Sequence, residues 1–369
     1  MSNATNIFIS GNANRPLAER IAEYNYGTLT PTGPEGDGKG KKFANRHRDG
    51  EIAVILGEKV RARDVFLIQP TGGCPNEFLM ELFVLADAAK RASAGSVTAV
   101  IPYYAYARQD WKAAPRTPIT AKLVANLLKA SGVDRVLTMD LHSPQIQGFF
   151  DIPVDVLTAA PVFAAYMKAV LAGRETTVVA PDQGGMKRAD GFALRLGAGM
   201  ACLGKERKSD TEVRNTRLVG DVKGKDCILL DDMTTTAGTL CEGAKTLKEV
   251  GGARSVTALV SHCPLTADGV KRLTGEAGKY LDALVTTDSL RPGAWMEDWT
   301  EEETGKTLEG VLEAGGVSKE WGARDRRRKW MTGAIRTWLG GRITVLPIGG
   351  LFGEAINLIV GNESLSELF

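Results

Sequence analysis

The amino-acid sequence predicts an α/β protein whose core is a parallel sheet covered by helices on both faces. Three observations predict it: short β-branched apolar runs have strand length, amphipathic stretches of helical length separate them, and the runs are apolar on both faces. The predicted strands are Asp64–Gln69, Val97–Ile101, Arg135–Met139, Thr177–Ala180, Cys227–Leu230, Val256–Val260 and Ile343–Leu346. The predicted helices are Asn76–Ala92, Ile119–Ala130, Gly238–Val250 and Gly350–Val360.

An internal repeat predicts two similar halves, and 369 residues also exceed one typical domain. DVFLIQPTGG, which begins at Asp64, precedes a helix and then SVTAV; DCILLDDMTTTAGT, which begins at Asp226, precedes a helix and then SVTAL. Each half therefore contains a strand, a glycine-containing loop, a helix and a second strand. Every βαβ unit shares this order, so similarity without duplication is the alternative; duplication is the favoured interpretation.

Composition and charge argue against several classes of protein. A formal net charge of +2 predicts no overall nucleic-acid or membrane surface, and the basic run Arg324–Lys329 is interpreted as a solvated helix face. The chain contains no apolar run of about 18 residues and begins without a signal-peptide pattern. Five scattered cysteines without a C-x-x-C pair argue against a disulfide framework or a zinc site. We therefore expect a cytoplasmic protein.

Two segments interrupt the alternation of strands and helices. Thr30–Lys42 is rich in glycine, proline and lysine, which predicts a mobile loop. Ser289–Gly341 combines acidic, basic and tryptophan-rich stretches. Because it contains too many aromatic residues for simple disorder, we expect it to form helices of its own.

The strongest local signal is Cys227–Thr239, an apolar strand that ends in two acids before a hydroxyl-rich loop and a helix. Backbone N–H groups at a helix start favour an anion, and the threonine hydroxyls add donors. Asp231 and Asp232 suit sugar hydroxyls, either as direct acceptors or through a bound metal. The structural alternative is a threonine-capped helix with acids nearby, but this density of functional groups favours a sugar-phosphate site.

The segment Tyr106–Pro118 carries three cations beside prolines and alanines, namely Arg108, Lys112 and Arg116. Such a loop suits a polyphosphate, and Arg108 can bind it bidentately or stack on a base. A solvated charged loop explains the same residues equally well.

Three further segments carry weaker signals. One places Asp140 and His142 after a strand, where a histidine binds metal or phosphate but a lone one is more often structural. The second places Asp182 and two glycines before a helix, which repeats the combination of an acid with an anion-accepting helix start. The third is a basic run that, alone, is more typical of a surface turn. These segments are Met139–Phe150, Val178–Ala189 and Leu203–Asp210.

Taken in order, these segments resemble the ribose-phosphate pyrophosphokinase family (phosphoribosyl pyrophosphate synthetases) over almost the whole chain. The most specific likeness is RVLTMDLHSPQIQGFFDIPVD, supported by IPYYAYARQD, APDQGGMKRA, VGDVKGKDCILLDDM and GNESLSELF. The resemblance implies two tandem domains like type I phosphoribosyltransferases. These are residues 1–157 on the ATP side and 158–341 on the ribose 5-phosphate side with an insertion at about 289–341, followed by a strand and helix (342–369) that pack back.

The resemblance also implies an activity and a set of site residues. The enzyme transfers the β,γ-pyrophosphoryl group of ATP to the 1-hydroxyl of ribose 5-phosphate, with Mg²⁺ orienting the polyphosphate. The implied catalytic residues are Lys205 and Arg207, and the implied metal-linked residues are His142 and Asp182. The implied ATP residues are Asp49, Gly50, Glu51, Arg108, Gln109, Lys112 and Arg116. The implied ribose 5-phosphate residues are Asp231, Asp232, Thr235, Thr236, Ala237, Gly238 and Thr239.

By the same resemblance, the Asp49–Glu51 segment reaches the adenine of a neighbouring subunit, which implies a homo-oligomer, commonly a hexamer. Three departures from the family pattern suggest altered regulation, altered assembly or a bulkier ribosyl phosphate acceptor. Thr235 replaces a usual acid, and extra residues separate Phe43 from Asp49, so that either Phe43 or His47 meets the adenine. The third departure is that Ser289–Gly341 is far longer than the usual connector, together with Ala113 in place of a common acid. Alternative functions are transfer to a bulkier ribosyl phosphate such as ADP-ribose, a phosphoribosyltransferase, and an inactive regulatory subunit.

Overall fold

The computed structural model describes residues 6–30, 45–206, 215–291, 302–307, 334–338 and 341–368. The described residues form two compact units. The first unit contains the residues up to Thr158 together with Ser289–Arg291 and the residues from Gly349 onward. The second unit contains Ala159–Asp288 and the described residues between Pro292 and Ile348.

The first unit is built on five parallel strands in the order β1-β4-β5-β6-β7. Its helices bury apolar stripes against this sheet; in α2, for example, Leu79, Leu82, Leu85 and Ala89 recur at helical spacing and are buried. The strands are β1 Asn6–Ser10, β2 Asn45–Arg46, β3 Ile52–Ala53, β4 Asp64–Ile68, β5 Ser96–Ile101, β6 Arg135–Met139 and β7 Val154–Leu157. The helices are α1 Arg15–Tyr24, α2 Pro75–Arg91 and α3 Thr120–Ala130, with a short 3-10 helix at Pro144–Phe149.

The second unit carries, in its described residues, a nine-stranded sheet in the order β10-β9-β8-β11-β12-β13-β16-β15-β14. In this spatial order, the six strands β9, β8, β11, β12, β13 and β16 pair in parallel. Strand β10 at one end and strands β15 and β14 at the other end are added in antiparallel pairs. The strands are β8 Thr176–Ala180, β9 Gly199–Glu206, β10 Asn215–Val219, β11 Asp226–Met233, β12 Ser255–His262, β13 Ala283–Thr287, β14 Glu302–Thr307, β15 Ala334–Trp338 and β16 Ile343–Leu346. The helices are α4 Ala160–Val170, α5 Met186–Leu196, α6 Gly238–Glu249 and α7 Ala267–Thr274.

The C-terminal strand and helix contribute to different units. Strand β16 pairs with β13 in the second sheet, whereas α8 (Gly349–Val360) packs on α1 in the first unit. Glycine permits the close approach of the two helices, because a Cβ at Gly353 would lie 2.5 Å from the ring of Tyr24.

The predicted α/β class and parallel sheets are confirmed, and every predicted strand and helix is present within three residues of its predicted ends. Described elements that no sequence pattern predicted include β1, β7, β9, β10 and β13, and helices α1, α4 and α7, whereas the helix expected after Gly184 and Gly185 is present as α5. The expectation of helices in Ser289–Gly341 is wrong where that segment is described, because 302–307 and 334–338 are strands. Strand β15 pairs with the edge of β16, which satisfies backbone groups that would otherwise stay open. The predicted loop Thr30–Lys42 lies, after Thr30, outside the described residues.

The amino-terminal edges of the two sheets repeat one another. Asp64 and Asp226 each begin a central strand, and each accepts a 2.6 Å hydrogen bond at Oδ1 from a serine hydroxyl that begins the next strand, Ser96 or Ser255. In each unit a second aspartate accepts a hydrogen bond from the backbone N–H of the residue after that serine, at 2.7 Å in the first unit and 2.6 Å in the second. The same aspartate forms an ion pair with a lysine at 2.9 Å in both units. The residues of this second contact are Lys90, Val97 and Asp134 in the first unit and Lys248, Val256 and Asp282 in the second.

The turns that lead into these strands repeat as well. Ala62 donates its N–H to the carbonyl of Ser93 at 2.8 Å, and Gly224 donates to Gly252 at 2.9 Å. All four residues have positive φ, between 57° and 71°. This match in side chains, backbone bonds and φ angles supports the internal duplication that the sequence repeat predicts.

Candidate active site

Apart from the Asp49–Glu51 segment, the predicted site residues that the structure describes lie at the carboxyl edge of a sheet, in or after the ends of its parallel strands. Because parallel strands all end at one edge, the loops that follow them gather there, which is where α/β proteins bind ligands. Asp140 and His142 follow β6, and Arg108 and Gln109 lie in the loop between β5 and α3. In the second unit, Asp182 follows β8, Lys205 lies near the end of β9, and Asp231 and Asp232 lie near the end of β11.

The acid pair of β11 consists of a buried carboxylate, Asp232, beside a half-buried one, Asp231. The side chain of Asp231 is 22% exposed and that of Asp232 is 5% exposed. Asp232 donates its backbone N–H to Oδ1 of Asp231 at 2.9 Å, which fixes the orientation of the first carboxylate. Burial, followed by the neighbouring charge of Asp232, raises the pKa of Asp231 to about 7. Such a pair favours a cation or several hydrogen-bond donors beside it.

Arg188 supplies a cation to this pair. Its Nη1 donates to Oδ1 of Asp232 at 3.2 Å and lies 3.8 Å from Oδ1 of Asp231. No local sequence pattern marked Arg188, because its partners lie more than 40 positions away in the chain. The available signal was its place in the first turn of α5, directly after the Gly184–Gly185 loop.

The loop after the acid pair ends at a helix start that is open to an anion. Ala237 adopts the left-handed conformation with φ 54° and lies at the N-cap of α6, where its side chain makes no capping hydrogen bond. The first N–H groups of α6 are thus available to a ligand rather than to a capping side chain. Thr234 anchors the other end of the loop by donating its N–H to the carbonyl of His262 at 3.1 Å.

Helix α7 and the residue before it support this loop from behind. Thr266 donates its N–H to the carbonyl of Thr235 at 2.9 Å, and Arg272 donates Nη1 to the carbonyl of Thr236 at 2.7 Å. Gly269 permits the close packing, because a Cβ there would lie 2.4 Å from the carbonyl oxygen of Thr235. These contacts hold two loop carbonyls towards α7.

The remaining second-unit residues differ in how far the structure describes them. Oδ1 of Asp182 accepts the N–H of Gly185 at 3.1 Å, so this carboxylate also orders the turn into α5. Lys205 lies opposite Thr216 in the pairing of β9 with β10. Arg207 lies outside the described residues.

In the first unit, the loop between β5 and α3 is buried and hydrogen-bonded in its first part and largely exposed from Arg108 to Arg116. Gln109 accepts a 2.6 Å hydrogen bond from the hydroxyl of Thr120, and its carbonyl accepts the N–H of Ala121 at 3.1 Å. The side chains of Arg108, Lys112 and Arg116 are exposed. The loop therefore offers cations to solvent from a fixed base.

The Asp49–Glu51 segment forms an exposed turn between β2 and β3. Oδ1 of Asp49 accepts the N–H of Glu51 at 3.2 Å, and Gly50 has a φ of 97°, which glycine adopts without strain. His47 belongs to the same turn and accepts the N–H of Gly50 at 3.0 Å. Phe43 lies outside the described residues. The predicted contact with adenine in a neighbouring subunit stays a prediction.

The predicted metal residues do not form a ready-made metal centre. The described residues contain no group of three His, Cys, Asp or Glu side chains that could hold a metal ion. His142 belongs to the first unit and Asp182 to the second, and both side chains are exposed.

The chain is similar to ribose-phosphate pyrophosphokinases along most of its length. Residues 6–132 match the family model for the N-terminal domain of ribose phosphate pyrophosphokinase, and residues 162–274 match that for the phosphoribosyl transferase domain. The ribose-phosphate pyrophosphokinase of Agrobacterium fabrum is 47% identical, and that of Brucella melitensis 41%, each over 98% of both chains. The crystal structure of phosphoribosylpyrophosphate synthetase from Mycobacterium smegmatis matches with a TM-score of 0.76 at 32% identity, over 97% of this chain and 99% of that one. The predicted phosphoribosyltransferase-type fold is thereby confirmed.

Proposed function

This chain belongs to the ribose-phosphate pyrophosphokinase family, and we propose that it transfers the β,γ-pyrophosphoryl group of ATP to the 1-hydroxyl of ribose 5-phosphate. The single observation that carries the proposal is the largely buried acid pair followed by an anion-accepting helix start, in a chain that matches these enzymes over 98% of its length. The hydroxyl oxygen bonds to the β-phosphorus of ATP while the bond from that phosphorus to the bridging oxygen of the α-phosphate breaks. AMP leaves, the hydroxyl proton is released, and phosphoribosyl pyrophosphate forms.

The second unit binds ribose 5-phosphate. Asp231 and Asp232 accept hydrogen bonds from the ribose hydroxyls, while the loop Thr235–Thr239 and the first turn of α6 donate N–H and hydroxyl groups to the phosphate. The contacts of Thr266 and Arg272 with the loop carbonyls support this role, because they hold those carbonyls towards α7 rather than towards an anion.

The first unit binds the polyphosphate of ATP through the exposed cations Arg108, Lys112 and Arg116. Gln109 orients this loop through its bond with Thr120. Lys205 and Arg207 meet the charge that develops on the transferred pyrophosphoryl group, since positioning and electrostatics supply most of the catalysis of phosphoryl transfer.

The chain's residues fit a magnesium ion that arrives with ATP. Mg²⁺ keeps several waters and binds through one or two carboxylates together with substrate phosphates. Asp182 suits such an open site because its side chain is exposed and, within the described part of the chain, only its Oδ1 is bonded, to the N–H of Gly185. A Mg²⁺ ion that arrives with ATP does not need a closed cage of protein ligands. His142 stays a predicted metal-linked residue of the first unit, although Mg²⁺ prefers oxygen ligands to a ring nitrogen. When bound, the ion neutralises the polyphosphate and orients it for attack.

The assembly and the compartment belong to the same proposal. The exposed Asp49–Glu51 turn contacts the adenine bound to a neighbouring subunit, so the enzyme works as a homo-oligomer, with a hexamer as the expected form. The described cysteines are free, which suits a reducing cytoplasm. Among the described helices, none has the length and apolar character needed to cross a bilayer.

A panel of acceptors tests the function. The purified chain is incubated with ATP, Mg²⁺ and either ribose 5-phosphate, ADP-ribose or no acceptor, and nucleotides are separated by chromatography. We expect AMP to form in equal amount to phosphoribosyl pyrophosphate with ribose 5-phosphate alone. ADP in place of AMP, or AMP with ADP-ribose but not with ribose 5-phosphate, would contradict the proposal; the second result would assign the departure at Thr235 to a larger acceptor.

A further inference from the structure

Arg188, in the second unit, contacts both acids of the proposed ribose site, and the roles proposed so far do not account for these contacts. We propose that Arg188 is a positioning residue for ribose binding, which holds Asp232 in place and balances the acid pair so that both carboxylates accept hydrogen bonds from the sugar. The inference rests on the proposed ribose 5-phosphate site and extends it to a side chain that does not itself touch the substrate.

The base of the Arg188 side chain is fixed by its neighbours. It is the third residue of α5, whose entry turn is ordered by the bond from Gly185 N–H to Asp182. The next residue, Ala189, is fully buried and anchors the first turn of the helix. The Arg188 side chain is 30% exposed, so most of it lies within the protein. A side chain held in this way can orient a partner.

One nitrogen of Arg188 serves both acids. Nη1 lies 3.2 Å from Oδ1 of Asp232 and 3.8 Å from Oδ1 of Asp231, and the first of these contacts is a hydrogen bond. Asp232 also donates its backbone N–H to Oδ1 of Asp231, so this oxygen has both the N–H and the arginine beside it. Arg188 therefore orients the Asp232 carboxylate by a hydrogen bond and acts on Asp231 through its charge.

The charge of Arg188 matters because two adjacent buried carboxylates repel each other. A vicinal diol donates two hydrogens and needs two acceptors, and a protonated carboxyl would offer a donor in their place. Burial and Asp232 raise the pKa of Asp231, whereas the Arg188 charge lowers it. Arg188 thus favours the form of the pair that accepts from both ribose hydroxyls.

Kinetics with a matched control test the inference. Arg188→Gln removes the charge, Arg188→Lys keeps it on a group without the planar fork, and Lys187→Gln removes the adjacent exposed cation of the same helix turn. For Arg188→Gln we expect the KM for ribose 5-phosphate to rise about 30-fold with a smaller loss of kcat and little change in the KM for ATP. Arg188→Lys is expected to raise that KM about three- to tenfold, and Lys187→Gln to match the wild type.

The outcomes separate the inference from the function beneath it. If the wild type forms no AMP from ribose 5-phosphate, the proposed function fails. If the wild type is active and both Arg188 variants keep its KM, the inference alone is overturned. Should Arg188→Gln not fold, Arg188→Lys carries the same comparison. A double variant with Asp232→Asn adds a further criterion. The rise in the KM for ribose 5-phosphate caused by Arg188→Gln must be smaller in the Asp232→Asn background than in the wild type. An equal rise in both backgrounds would show that Arg188 does not act through Asp232.

Discussion

The two units share one scaffold at the amino-terminal edge of their sheets and differ at the carboxyl edge. Asp64 and Asp226 align the central strands β4 and β11, so Gln69 occupies the place that Asp231 holds in the second unit. Gln69 is fully buried and bonded to protein groups: it donates to Glu81 at 3.0 Å and accepts from Ala13 N–H at 3.2 Å.

The first unit closes the place that the second unit leaves to a ligand. Glu81 is 3% exposed, and its carboxylate accepts from Asn12 N–H at 2.5 Å and from Asn12 Nδ2 at 2.8 Å as well as from Gln69. In the loop that follows Gln69, a Cβ at Gly72 would lie 2.6 Å from Leu290. In the second unit the corresponding acids have a cation and a ligand-accepting loop beside them. We therefore propose that strand-end side chains, rather than the repeated scaffold, decide which unit binds the sugar phosphate.

The largest expected effect is a loss of kcat when a lysine at the carboxyl edge of the second unit is replaced, compared with a lysine at its amino edge. Lys205→Ala at the carboxyl edge is expected to lower kcat about 10³-fold, because a cation beside the transferred group stabilises the transition state, and to leave the melting temperature unchanged. The matched variant Lys248→Ala loses the amino-edge contacts with Asp282 and the carbonyl of Arg254. It should lower the melting temperature and keep kcat. Steady-state kinetics and thermal melts check both, and near-normal activity of Lys205→Ala removes that residue from the catalytic role.

Neutralising one buried acid in each unit should change stability in opposite directions. Burial raises the pKa of Asp231 from 3.8 to about 7 in the folded protein. Between these two values the unfolded chain ionises Asp231 more readily than the folded protein does, so the folded protein loses stability as the pH rises through this window. Asp231→Asn is therefore expected to raise the melting temperature at pH 8 and not at pH 4, while reducing activity about 100-fold or more.

Glu81→Gln is expected to cost about 1–3 kcal/mol of unfolding free energy, because one amide group would face the donors of Asn12 or Gln69. Activity should fall only with stability. Chemical denaturation at several pH values measures both variants, and a stabilised Glu81→Gln would break the contrast between the units.

The support of the phosphate loop by α7 predicts a smaller, local effect. Gly269→Ala brings a methyl group against the carbonyl of Thr235 and should displace the loop, which raises the KM for ribose 5-phosphate about tenfold. Gly191→Ala lies in the interior of α5, where a Cβ meets nothing within 4 Å, and should be neutral or slightly stabilising. Equal KM values for the two variants would show that α7 does not position the loop.

The smallest effect concerns the repeated turn before each central strand. Ala62 has a φ of 57° and its counterpart Gly224 a φ of 71°, a conformation that suits glycine better than alanine. Ala62→Gly should stabilise the protein and Gly224→Ala destabilise it, each by up to about 1 kcal/mol. Denaturant titration measures both, and a loss of stability in Ala62→Gly would mean that tertiary contacts of the methyl group outweigh the backbone preference.

Local patterns predicted the central elements and the acid-pair loop, because each is encoded in consecutive residues. Continuous apolar runs marked β4, β6 and β11, and the acids with their hydroxyl-rich loop marked the sugar-phosphate site. Missed elements such as β10 and β13 have short polar-flanked runs without a distinct period. The strands within 289–341 depend on the edge of β16, which no local pattern records.

The sequence by itself determined the α/β class, the repeat of two halves, the family and the identity of the strand-end acids, since these follow from hydrophobic period and contiguous motifs. Only the tertiary structure decided which groups meet across the chain: Arg188 with Asp232, Arg272 with the carbonyl of Thr236, and Glu81 with Gln69 and Asn12. The physical reason is that burial, charge balance and hydrogen-bond satisfaction depend on distances between residues far apart in sequence. Those distances exist only once the sheet has brought the strand ends together.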